Sequence, residues 1–152
     1  MDGEQAWRSL KHMSFREKSA WISLVSNLAV YGWYFATLAV AWLADRADAD
    51  AFGWRLIAAF AVLVILEIVL HVVAALRAPE DALASEDERE RLIALKSTNL
   101  AYGVLASGVV LSIAALLGDV APFVVLNILF FALVLATVAN YASLIVRFRV
   151  QA

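Results

Sequence analysis

The chain has 152 residues, 64% of them hydrophobic, a mean hydropathy of +0.81 and a formal net charge of −2. Soluble domains sit near half apolar, and no polar stretch here is long enough to bury a core of its own. The expectation is therefore a single transmembrane domain over 1–152. The lack of cysteine excludes a disulfide, a thiolate metal site and a cysteine nucleophile.

About 20 apolar residues suffice for one helical crossing, and four such runs occur in order: Ala20–Ala44, Leu56–Leu76, Leu100–Leu117 and Phe123–Val146. A polar segment carrying Arg8, Lys11, Arg16 and Lys18 leads into the first run. That run is too long for the apolar region of a cleavable signal peptide. Ser14-Phe-Arg-Glu17 has the Ser-x-x-Glu pattern of a capping box, so the first helix is expected to start ahead of its apolar part. A short acidic turn with Asp45, Asp48 and Asp50 leads to the second run. Near the middle of that run stand Glu67 and His71, with apolar residues on both sides.

The longest polar break follows, a bridge over 77–97. Within it, Ser85-Glu-Asp-Glu88 repeats the capping pattern and predicts that the third helix begins before the membrane and enters it unbroken. Asp87 with Arg91, and Glu88 with Arg91, have the spacing of helical ion pairs worth ~0.2–0.5 kcal/mol each. Asp119 falls between the third and fourth runs, and Arg147 and Arg149 follow the fourth. Trp21, Trp42, Trp54 and Tyr141 lie near span ends, as an interfacial aromatic belt requires.

Ten of the twelve basic residues fall on one face of this layout: Arg8, Lys11, Arg16, Lys18, Arg77, Arg89, Arg91, Lys96, Arg147 and Arg149. Only Arg46 and Arg55 fall on the other. The positive-inside rule then places both termini and the bridge in the cytoplasm. Aligned on itself at an offset of 71, the chain also shows an internal repeat. Ser14, Glu17, Tyr31 and Gly32 meet Ser85, Glu88, Tyr102 and Gly103, while Asp48 and Phe52 meet Asp119 and Phe123. The predicted architecture is an all-α integral membrane four-helix bundle built from two tandem, parallel-repeat helical hairpins, N-in and C-in.

Glu67 and His71, four residues apart, share a helix face. A charge at that depth costs at least ~2.5–3.5 kcal/mol on insertion scales, so the pair should face the bundle interior or a partner helix. Two readings stand: a proton or cation relay or ligand pair, and a hydrogen-bonded pair that fixes packing or dimerisation. Val138 and Ala142 occupy the repeat-equivalent positions, so the pair breaks the internal symmetry; a homodimer joining two Glu67 residues would restore an axis. Asn27, Asn99, Asn127, Asn140, Ser23, Ser26, Thr37, Ser107, Ser112 and Thr137 are expected to hydrogen-bond between helices. Gly32-x-x-x-Ala36 and Gly103-x-x-x-Ser107 are small-residue patterns that allow close helix approach.

Other chemistry has no footing. The sole histidines are His12 and His71, with no zinc cluster, no phosphate-binding glycine loop and no Ser-His-Asp set. No cofactor and no enzymatic activity are expected. The basic residues are interrupted by acidic ones, so membrane lipid rather than nucleic acid is their expected partner.

Asp87-Glu88-Arg89, followed one turn later by Ile93 at the entry to the third span, resembles a recurring bacterial pattern. It is similar to families of uncharacterised small four-helix membrane proteins with a DER signature between spans two and three, often encoded beside transcriptional regulators. The resemblance implies a regulatory protein of the bacterial inner membrane that holds a cytoplasmic partner through Asp87, Glu88, Arg89 and Arg91. The competing expectation is a small proton- or cation-coupled transporter or channel using Glu67 and His71.

Overall fold

The computed structural model describes residues 15–45, 48–77 and 87–150. Four helices account for nearly all of them: α1 Phe15–Leu43, α2 Ala49–Arg77, α3 Glu88–Leu117 and α4 Pro122–Val150. Each has 29 or 30 residues, about 44 Å at ~1.5 Å per residue. That exceeds the ~30 Å hydrocarbon thickness, and all four are long and apolar enough to cross it. The surplus is where Glu17 and Lys18 open α1 and Arg147 and Arg149 close α4. α1 and α3 each run unbroken from a charged start into their apolar part.

The close helix pairs are α1 with α2, α1 with α4, and α3 with α4. The order across the bundle is therefore α2, α1, α4, α3, and the two hairpins stand side by side with their first helices parallel. α1 and α4 are the inner helices. α3, at one edge, buries only Ile93, Ser97 and Ser112 among its residues. α2, at the other edge, buries Phe52, Ala59 and Leu63. Outward-facing leucines, isoleucines and valines on these edge helices need no cover, because lipid tails are as apolar as the side chains.

The inner contact is aromatic. Tyr34, fully buried, meets Phe52 of α2 and Phe130 of α4 edge-on at 6.4 and 5.8 Å between ring centroids, and Tyr31 meets Phe130 at 5.0 Å. This is the geometry favoured by the ring quadrupole. Tyr34 also donates its hydroxyl hydrogen to Asn127 Oδ1 at 2.9 Å. Nearer the Glu17 end, Ala20 and Leu24 of α1 pack on Ile145 of α4.

Several local expectations are corrected. The N-cap of α3 is Asp87 (φ −71°, ψ 147°), with no side-chain capping bond, and not Ser85. Ser14, Ser85 and the bridge over 78–86 lie outside the described residues. The hairpin turns correspond at Asp45 (φ 52°) and Asp119 (φ 56°), both left-handed, a conformation that short polar Asp tolerates. The sequence repeat instead sets Asp119 opposite Asp48, three residues after Asp45.

Neither proposed small-residue pattern is a crossing point. A Cβ at Gly32 or Gly103 would meet nothing within 4 Å, whereas one at Gly108 would collide with Ala132 of α4. α3 and α4 therefore touch at Gly108, with Ser112 buried one turn on. Thr37, Ser107, Ser112 and Thr137 also do not bridge helices. Each donates to a carbonyl of its own helix three or four residues back, the common local bond of hydroxyl side chains in helices.

Candidate functional site

α1 carries Ser19, Ser23 and Asn27 at successive four-residue steps, so the three lie on one helix face. α2 carries Glu67 and His71 one turn apart. Antiparallel packing of the two helices sets these polar stripes against each other. Ser23 donates to Glu67 Oε2 at 3.0 Å, and the Asn27 amide donates to Oε1 at 3.0 Å. The second amide hydrogen of Asn27 goes to the Ser23 carbonyl at 2.8 Å, which holds the side chain in place. Both oxygens of Glu67 are thus met by neutral donors from α1.

His71 is held at both ring nitrogens. Its Nδ1 lies 2.8 Å from the main-chain oxygen of Glu67. A carbonyl can only accept, so Nδ1 carries the hydrogen. Nε2 lies 2.8 Å from the Ser19 hydroxyl, which donates to it when the ring is neutral and accepts from it when the ring is protonated. Ser23 stands 3.5 Å from the same nitrogen, too far to compete with its bond to Glu67. Nδ1 and Glu67 Oε2 are 4.0 Å apart, but the Nδ1 hydrogen is already engaged with the main chain. The two side chains remain 23% and 35% exposed, respectively for Glu67 and His71.

Glu67 and His71 meet Ser19, Ser23 and Asn27 of α1 within the same chain. Ser23 and Asn27 were in view as interhelical donors. Ser19 was not, although its position one turn before Ser23 continues the same stripe.

Glu67 and Asn27 also line a cleft of about 400 Å³ between α2 and α4, floored by α1. Its walls are otherwise mostly apolar or aromatic: Tyr31, Phe60, Leu63, Val134 and Tyr141 among them. A carboxylate in such a cleft can bind a cation or a hydrogen-bond donor. No group of three or more His, Cys, Asp or Glu side chains gathers to hold a metal ion among the described residues.

The second set of sequence candidates lies elsewhere. Asp87, Glu88, Arg89 and Arg91 are all exposed at the start of α3, on an edge helix that is not closely packed on α2. Among the described residues, no ion pair joins Arg91 to Asp87 or Glu88, so the expected pairing along this turn does not form. At the same end of the bundle, Arg149 of α4 reaches Glu17 of α1 at 3.2 Å, and its guanidinium lies 5.5 Å from the Trp21 ring. Ser97 of α3 and Arg147 both bond Ser143 of α4 there.

No protein-family model, curated protein or solved structure matches this chain.

Proposed function

We propose that this protein is a non-enzymatic regulator of the bacterial cytoplasmic membrane that binds a soluble protein at its basic end, with both termini on that side. The observation that carries the reading is the start of α3. Asp87, Glu88, Arg89 and Arg91 stand exposed beside outward-facing Leu92 and Leu95, while Ile93 and Ser97 hold the turn against the bundle. A rigid helical surface combining charges of both signs with aliphatic side chains suits a protein partner. Opposed charges select the partner, and buried apolar area holds it. The cytoplasmic assignment rests on the bias of lysine and arginine to this end.

Use of Glu67 and His71 as a transmembrane relay is the weaker reading. Both are engaged by α1 hydroxyls and an amide. Toward the Asp45 end, the next layer is the aromatic packing of Tyr34, Phe35, Phe52 and Phe130, which supplies no carboxylate or imidazole to receive a proton.

The test is crosslinking and co-purification from native membranes with the triple reversal Asp87→Lys, Glu88→Lys and Arg89→Glu. The expected result is loss of a specific soluble partner with unchanged membrane insertion. An unchanged set of co-purified proteins refutes the reading. Orientation is checked by single cysteines at Asp87 and Asp119, introduced into a chain with no cysteine of its own. Position 87 should label only from the cytoplasmic side and position 119 only from the other.

A further inference from the structure

We infer that the cleft between α2 and α4 is a binding site for a lipophilic monocation that enters from the lipid, with Glu67 as its counter-ion. This goes beyond the regulatory reading and does not depend on it.

Three features converge. The first is an unbalanced charge. Glu67 receives two hydrogen bonds from neutral donors, Ser23 and Asn27, a pattern suited to an ionised carboxylate, which only accepts. Yet no lysine or arginine pairs with it among the described residues. The neighbouring imidazole makes no hydrogen bond to the carboxylate: the Nδ1 hydrogen is committed to the Glu67 main-chain carbonyl, and Nδ1 stands 4.0 Å from Oε2. A carboxylate at membrane depth ordinarily has a partner of opposite charge or a water-filled cavity. Here the part of Glu67 that remains exposed faces the cleft.

The second feature is shape and lining. At about 400 Å³, the cleft falls in the range of small-molecule sites, which are mostly apolar with a few placed polar groups. Tyr31, Phe60 and Tyr141 offer ring faces or edges around the carboxylate, and aromatic faces attract cations most strongly where water is excluded. An anion would meet the Glu67 charge. A neutral apolar molecule would leave that charge uncompensated.

The third is access. Phe60, Ile68 and Leu133 at the rim are 54%, 59% and 44% exposed. The mouth therefore opens sideways on the lipid-facing surface. A hydrophilic cation has no route through lipid to this mouth, whereas a cation with an apolar body partitions into the membrane first.

The test measures binding of tetraphenylphosphonium to the purified full chain in lipid nanodiscs. Tetraphenylborate, of the same shape and opposite charge, is the control. Saturable cation binding is expected, with no competition from the borate. Glu67→Gln should weaken it at least about tenfold, the loss expected for a charge-assisted contact. Phe60→Ala, at an exposed rim position that leaves the core intact, should weaken it several-fold with an unchanged unfolding midpoint. If Glu67→Gln fails to fold, Phe60→Ala and the borate control decide. Absence of saturable binding by the native chain, equal binding of both ions, or native-like affinity in both variants overturns the inference.

Discussion

The polar seam between α1 and α2 makes a quantitative prediction when its donors are removed one at a time and together. Ser23→Ala deletes the donor to Glu67 Oε2, and Asn27→Leu deletes the donor to Oε1 at similar side-chain size. A hydrogen bond to a charged group is worth ~1.5–3 kcal/mol in water-soluble proteins, but interhelical bonds in membranes average ~0.6 and reach ~1.7 kcal/mol. Glu67 is mostly shielded and has one donor from α1 on each oxygen. Each single change should therefore lie at the upper end for membranes, ~1–2 kcal/mol. Removing both leaves the carboxylate without a donor from α1, and the ~2.5–3.5 kcal/mol cost of a bare charge at that depth sets the scale for the double variant. With Glu67→Leu in place, the same two substitutions lose no acceptor and should be nearly neutral. The coupling is read by reversible unfolding in mixed detergent micelles, followed by far-ultraviolet circular dichroism, across the complete mutant cycle. A double variant that loses under ~0.5 kcal/mol, or loses as much in the Glu67→Leu background, would refute the claim that this network holds α2 on α1.

Other consequences follow from the packing. Gly108→Val should force α3 from α4 at Ala132 and lower the unfolding midpoint clearly, while Gly103→Val and Gly32→Val, which face open space, should change it little. Tyr34→Phe keeps the ring contacts but strands the Asn127 carbonyl oxygen; a loss of ~1–3 kcal/mol is expected in the same unfolding assay. Arg149→Ala removes the pair with Glu17 and the contact with Trp21. Because the arginine side chain is 60% exposed, the change in stability should stay below ~1 kcal/mol, and a larger loss would show that this end is more tightly closed than its exposure implies.

Residue by residue, the site was partly legible in advance. Glu67 and His71 stood out because ionisable groups are rare inside apolar runs and their spacing sets them on one face. The stripe Ser19, Ser23 and Asn27 has the same four-residue period, but serine and asparagine are ordinary in membrane helices, so the period alone did not single out their partner helix. Gly108 was missed for a related reason. Glycine followed four residues later by a small residue occurs at Gly32, Gly103 and Gly108 alike, and only the position of Ala132 distinguishes them. The cap of α3 went to Asp87 because several adjacent polar residues can each take that role, and local patterns do not rank them.

What the sequence determined by itself was the number of crossings, their approximate ends and the common side of α1's start and α4's finish. These follow from run length and from where charges can sit, both properties of single segments in lipid. The tertiary structure alone decided the lateral order α2, α1, α4, α3, the seating of Glu67 against Ser23 and Asn27, and the cleft left between α2 and α4. In water, the apolar stripe of a helix reveals its buried face. In a membrane the outside is as apolar as the inside, so that signal is lost. Helix neighbours are then chosen by close steric fit at positions such as Gly108 and by the few hydrogen bonds that an apolar surrounding cannot supply.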